Sequence, residues 1–180
     1  MFENIEQFLA NNNQLAWVVI FMFAILESFV LSGVIVSSAI LFSICVFVYG
    51  LDLMPLYLIV IVATLGAHIG DVTGFVFGKS LGPSLLSSKF MVKREKLIIR
   101  AQKFLDRTGS YTVILGRFVP AIRPLVPFLL GISDLKAVRF YIADVIACAC
   151  WGIALGFLVT GVGSLTVSYT HLTLPTILLV

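Results

Sequence analysis

Two arginines, Arg117 and Arg123, lie in an apolar stretch from Gly109 to Gly131 that also holds three prolines, Pro120, Pro124 and Pro127. A guanidinium is always charged and presents a planar fork of donors that fits phosphate or carboxylate. In an apolar setting such a pair has two chemical uses: to hold an anion, or to neutralise buried carboxylates. Proline removes a backbone donor, clashes with the preceding turn and biases the residue before it away from helical geometry. The spacing therefore predicts a helical arm over 110–118, a break over 119–123 and a second arm from Pro124, with all three prolines serving the break. Non-helical backbone at membrane depth survives only where it is buried in protein or lines a wet cavity. The stretch thus reads as a site. Free N–H groups and the dipole at the start of the second arm would add to the two charges, and the anion that fits best is a phosphate.

Carboxylates form the second set. Glu27 sits inside a long hydrophobic run, where an ionised side chain costs about 2.5–3.5 kcal/mol on insertion scales, so it either exchanges a proton or pairs with a cation. Asp71 precedes Gly74 and Gly78 by three and seven residues, and His68 lies one turn earlier, so all of them share one helical face. Asp71 then points into a helix interface, as an interhelical hydrogen bond, as a proton-titrating group or as a partner for arginine. His68 reads as a partner to such a carboxylate. A structural ion pairing of Arg117 and Arg123 with Glu27 and Asp71 stands beside the phosphate reading. No spacing of His, Cys or carboxylates matches a metal site, and no metal or cofactor is expected. Cys45, Cys148 and Cys150 occupy apolar runs and read as packing residues. Gly78-Lys79-Ser80-Leu81-Gly82 matches a nucleophile elbow in letters only: a long apolar helix precedes it, and the sole later histidine is His171. The chain does not read as an enzyme.

These residues must be positioned by membrane-spanning elements. The 180 residues are 60% hydrophobic and 12% charged, well outside the balance of a soluble domain, and the fold class is an all-α polytopic membrane protein. Residues 2–10 pattern as a short interfacial helix ended by Asn11-Asn12-Asn13. No positive n-region of a cleaved leader is present. Leu15 to Tyr49 is too long for one crossing and tight for two, so it predicts a helical hairpin bent at Ser32-Gly33 or Ser37-Ser38. Leu53 to Leu81 predicts one tilted crossing, with Gly66, Gly70, Gly74, Gly78 and Gly82 at four-residue spacing for close helix packing. Lys93 to Arg107 predicts an amphipathic helix, basic on one side, lying on an anionic leaflet and stopped at Gly109. The last helix is expected from about Phe140 to Gly163, with Asp144 near its start and Gly152 and Gly156 repeating the close-packing spacing.

Charge sets the topology. No Lys or Arg precedes Lys79, and eight of the twelve lie between Lys79 and Arg107, which places that loop in the cytoplasm. If the proline-broken stretch is re-entrant, Lys136 and Arg139 stay inside as well. The fold expected is then two oppositely oriented re-entrant hairpins with transmembrane helices between and after them, in the manner of inverted-repeat transporters.

Gly116-Arg117-Phe118-Val119-Pro120-Ala121-Ile122-Arg123, with Gly131 beyond, resembles the G-R-F-x-P-x-x-R motif of the DedA family, also called SNARE-associated or VTT-domain proteins. Gly70-Asp71 with Gly74 and Gly78 is similar to that family's G-D-x-x-G segment, and the likeness runs over roughly residues 20–160, including Trp151. The resemblance implies the double re-entrant architecture and a transporter or flippase of polyprenyl phosphates, such as undecaprenyl phosphate, or of phospholipids. It implies the bacterial cytoplasmic membrane and coupling to protons. It also implies an acidic residue near Glu27 and a second after a Pro-Gly pair, where this chain has Ser37-Ser38-Ala39. The alternatives are a membrane-organising or lipid-binding protein that transports nothing, and a membrane enzyme on lipid phosphates. Residues 1–164 read as one domain, while 165–180, rich in Thr and Ser and without a basic anchor, read as a non-native or truncated tail. The partners expected are membrane lipids, a lipid phosphate above all, and protons. A homo-oligomer is left open, and no nucleic acid is expected.

Overall fold

The computed structural model describes residues 13–33, 35, 37–86, 89–93, 95–108, 111–119, 122–133 and 135–177. Among them the chain forms helices and turns: α1 Asn13–Ser28, α2 Ser38–Gly50, α3 Leu56–Leu86, α4 Lys89–Val92, α5 Glu95–Thr108, α6 Thr112–Gly116, α7 Leu125–Ile132 and α8 Ala137–Ile177. Leu56–Gly82 in α3 and Ala137–Val162 in α8 are long and apolar enough to cross a bilayer. The interfacial helix expected over 2–10 lies outside the described residues.

The long helix α3 is the scaffold, and its glycine ladder explains why. Gly66 meets Phe21 and Ala24, and Gly70 meets Ile25 and Ser28, all on α1. Gly74 faces Pro127, Gly78 the backbone of Phe128 and Gly82 the side chain of Ile132, all on α7. Partner numbers rise with ladder numbers, so α1 and α7 both run in the direction of α3, one after the other along a single face. Without Cβ atoms the backbones come within van der Waals reach; a Cβ at position 70 would stand 2.6 Å from Ser28 Cβ and 2.8 Å from the Ile25 carbonyl oxygen. The last helix, α8, packs on α3 in the opposite direction, with Gly152 against Thr64 and Val60, and Gly156 against Val60.

The helix α1 ends halfway along α3 because the next residues turn on themselves. Ser32 Oγ donates to the Leu26 carbonyl at 2.6 Å, and the Gly33 N–H donates to the Phe29 carbonyl at 2.7 Å. Ser37 then caps α2, its hydroxyl accepting from the Ala39 N–H at 3.3 Å. The bend thus takes in both expected places, Ser32-Gly33 and Ser37-Ser38. Leu41, Cys45 and Val48 of α2 cluster with Ala16, Ile20 and Ala24 of α1 and with Met54 and Ile59, so the chain returns to the end of α3 from which it set out.

The second broken stretch differs from expectation in three ways. Its first arm is only Thr112–Gly116, shorter than 110–118. Pro127 does not break anything: it occupies the first turn of α7, where a missing N–H has no intrahelical partner to lose. Pro124 stands at the N-cap of α7, and Pro120 lies outside the described residues. Thirdly, the start of α7 offers few free donors, because Leu125 and Val126 both donate to the Ile122 carbonyl, at 2.9 and 3.1 Å. The break survives in an apolar setting through such local bonds, Phe118 to Leu115, Val119 to Gly116 and Arg123 to Val119 among them. Every residue from Leu125 to Gly131 is buried, as expected for a helix apolar all round.

Smaller departures have local causes. Pro55 caps α3, whose start accordingly falls at Leu56 and not at Leu53; the N–H groups of Leu58 and Ile59 bond to its carbonyl. The amphipathic helix begins at Glu95 because the Lys93 N–H bonds back to Lys89 as the end of α4. On α5, Ile98 is buried and Phe104 and Leu105 pack on the core, while Lys96, Arg100, Lys103 and Arg107 are exposed. The backbone of α8 stays helical past Gly163 to Ile177, since an interior glycine weakens a helix by about 1 kcal/mol without ending it. Cys45 and Cys148 are buried as expected of packing residues, but Cys150 points outward and is exposed.

Candidate functional site

Halfway along α3, the end of α1, the break between α6 and α7, and the first half of α8 meet. They bring together Glu27, Ser28, His68, Asp71, Arg117, Arg123, Asp144, Cys148 and Trp151. Arg117 and Arg123 retain only 4% and 3% of their surface, and Glu27, Asp71 and Asp144 are equally buried. Two broken helices are what make this possible, because each ends its regular backbone at the depth where the other begins. The tips touch: a Cβ at Gly33 would lie 2.8 Å from Pro124 Cβ.

The arginines are paired. Arg123 Nη1 donates to Glu27 Oε1, and its Nη2 reaches Ser28 Oγ at 3.3 Å. Arg117 Nη1 donates to Asp71 Oδ2 and lies 3.2 Å from Asp144 Oδ1. Asp144 Oδ2 in turn receives His68 Nδ1 at 2.6 Å and the Cys148 thiol at 3.5 Å. Trp151 closes the cluster, with the Arg123 guanidinium 4.5 Å and the Arg117 guanidinium 5.7 Å from its ring centroid. A desolvated cation over an indole face is held by about 2 kcal/mol.

Pairing leaves donors over. Arg117 Nε and Nη2 and Arg123 Nε are buried without a partner, as are Glu27 Oε2 and Asp71 Oδ1. Beside them opens a cleft of about 210 Å³ that both arginines line with Ser38, Phe42, Phe118, Trp151, Ala154, Leu155 and Leu158. One wall is cationic and, Ser38 apart, the rest is apolar, a surface that suits a charged head on a hydrocarbon tail.

All the site residues named from sequence, Glu27, Asp71, Arg117 and Arg123, converge here, and His68 with them. Asp144 and Trp151 are additions. A carboxylate eight positions into an apolar helix is a signal in itself, yet nothing local tells that Asp144 faces Arg117. His68, Asp144 and Cys148 also set three metal-capable atoms within 4.8 Å of one another, which no sequence spacing announces. Their lone pairs and protons are spent on each other, and a dication there would sit against the Arg117 guanidinium, so the group is a hydrogen-bonded cluster.

Broken helices with buried charge at their tips, mounted on two helices long and apolar enough to cross a bilayer, define a class: an α-helical membrane protein with a buried polar site. The VTT domain matches residues 14–161, and the chain belongs to that family, the family of DedA. An uncharacterized membrane protein of Buchnera aphidicola is 31% identical over 126 residues, covering 70% of this chain and 49% of its own length. The inner membrane protein YabI of Escherichia coli is 26% identical over 147 residues, 82% of this chain and 58% of the relative. Protein DedA of Escherichia coli is 26% identical over 99 residues, 54% of this chain and 45% of the relative. The chain spans about half the length of the curated relatives it matches. No solved structure matches it.

Proposed function

We propose that the protein moves a lipid phosphate, a polyprenyl phosphate such as undecaprenyl phosphate or a phospholipid, across the bacterial cytoplasmic membrane, with proton coupling. The observation that carries this is the pair of buried guanidiniums, Arg117 and Arg123, each with donors left unpartnered, beside a mostly apolar cleft that both residues line. The phosphate takes those donors and the tail lies along Phe42, Leu155 and Leu158. Carboxylates compete for the same arginines, so an entering anion is favoured when Glu27 or Asp71 takes up a proton. In this reading both broken segments are re-entrant, entering from opposite faces, with α5 on the cytoplasmic leaflet. No covalent chemistry is assigned to the site.

A second reading has an observation of its own. Each arginine already has a carboxylate partner, which is what a structural ion pair in a membrane-organising or lipid-binding protein would show. Lysine separates the two. It neutralises a carboxylate as arginine does but lacks the planar fork. Arg117→Lys and Arg123→Lys should keep near-normal thermal stability and lose about tenfold or more in lipid-phosphate affinity, as each forfeits a charge-assisted hydrogen bond. Unchanged affinity in both variants would leave the arginines structural.

A further inference from the structure

Among the described residues three buried carboxylates, Glu27, Asp71 and Asp144, face two buried guanidiniums, Arg117 and Arg123. An uncompensated charge in a dry interior is costly, so the cluster is one positive charge short. Arg123 holds Glu27 and Arg117 holds Asp71. Asp144 is the carboxylate left over, and it is shared, with Oδ1 3.2 Å from Arg117 Nη1 and Oδ2 2.6 Å from His68 Nδ1.

We propose that His68 and Asp144 hold one exchangeable proton between them and that this pair decides whether Arg117 is free to take an anion. With His68 as imidazolium the missing charge is supplied, Asp144 stays with His68, and Arg117 Nε and Nη2 are left for an anion. With His68 neutral, Asp144 turns to Arg117 and occupies those donors. Protonation and anion binding therefore support each other, and by linkage the coupling is reciprocal. Among the described residues the titratable groups near His68 are Asp144 and Cys148 from α8, Asp71 on its own helix and Arg117 from the break. The Cys148 thiol donates to Asp144 and carries no charge of its own. Position also singles out His68: its side chain is 28% exposed where that of Asp144 is 1%, so His68 is the member of the pair at the outside of the fold. This adds to the carboxylates Glu27 and Asp71 a proton site at a pair that sequence spacing does not single out.

The consequence for binding rests on the phosphate reading; the proton does not. The chain has two histidines, so His171→Gln leaves His68 as the sole imidazole for ¹⁵N NMR of ring-labelled protein in detergent or nanodiscs. At neutral pH, without phosphate, both ring nitrogens should resonate as imidazolium, and Asp144→Asn should convert them to the split pair of a neutral ring. A neutral ring in the parent, or a ring unmoved by Asp144→Asn, overturns the proposal. In a second measurement farnesyl phosphate binding is followed from about pH 6 to about pH 8 in the parent and in His68→Gln. Because the ligand is the same, its own titration cancels in the comparison. The parent should lose about tenfold more affinity than the variant across that range; parallel curves overturn control of Arg117 by His68. Absence of farnesyl phosphate binding at every pH removes the phosphate reading and with it the control of an anion, while the NMR result alone still decides where the proton sits.

Discussion

Glu27 and Arg123 are 96 residues apart in sequence and in contact in the fold, and a buried pair of this kind is conditional in what it contributes. Removing one partner strands the other. Glu27→Gln should therefore lower unfolding stability in detergent by about 3–5 kcal/mol, while replacing both, Glu27→Gln with Arg123→Met, should recover most of it. A double variant as unstable as the sum of its singles would show the two residues to be independent. Trp151 belongs to the same scale. Trp151→Leu removes the surface on which both guanidiniums lie and should weaken lipid-phosphate binding about fivefold or more, given roughly 1–2 kcal/mol per desolvated cation–π contact; affinity equal to wild type would make Trp151 mere filling. At this scale the sequence was informative about residue types and about which arginines and carboxylates form one set, and silent about the individual pairs. Arginines and carboxylates in apolar runs are conspicuous because they are costly there. Which carboxylate meets which arginine depends on contacts across four elements, and Asp144 carries no local mark of facing Arg117.

The glycine ladder is the element that can be read almost completely from spacing, and what spacing cannot supply is the division of labour along it. Gly66 and Gly70 receive α1, while Gly74, Gly78 and Gly82 receive α7. The fit is uneven, which makes a sharp prediction. A methyl group at position 70 meets Ser28 and Ile25 at under 3 Å, and one at position 78 meets the Phe128 backbone, but at position 74 the nearest atom, Pro127 Cβ, is 3.7 Å away. Gly70→Ala and Gly78→Ala should each cost about 1–3 kcal/mol by overpacking, and Gly74→Ala should be near neutral, as read by thermal unfolding in detergent. Equal effects at all three positions would contradict the close approach. Pro127 marks the limit of reading breakers from sequence. Three prolines announce a break, but a proline in the first turn of a helix is harmless, and only the position of that first turn tells which proline is which.

At the scale of the whole molecule, two helix–break–helix segments lie along one crossing helix with their tips together at mid-height, and the basic α5 lies beside the second of them. Composition makes the membrane class legible, because hydrocarbon acts on gross composition, and the clustering of Lys and Arg is the ground for expecting that loop in the cytoplasm. Two oppositely oriented hairpins are expected from sequence, but that Gly33 of one tip meets Pro124 of the other is a property of three-dimensional packing. If the segments are re-entrant from opposite faces, single cysteines at Leu51 and Lys103 in a background free of Cys45, Cys148 and Cys150 should react with an impermeant maleimide from opposite sides of the membrane; labelling from one side would break the opposed arrangement. The central claim is movement of a lipid phosphate by the two arginines, and a liposome flip assay with purified protein and a panel of labelled lipid phosphates tests it most directly. Protein-dependent flipping of at least one lipid phosphate, abolished by Arg117→Lys and Arg123→Lys, is the predicted result. Binding without flipping, flipping indifferent to both substitutions, or conversion of the lipid to a new product would contradict it.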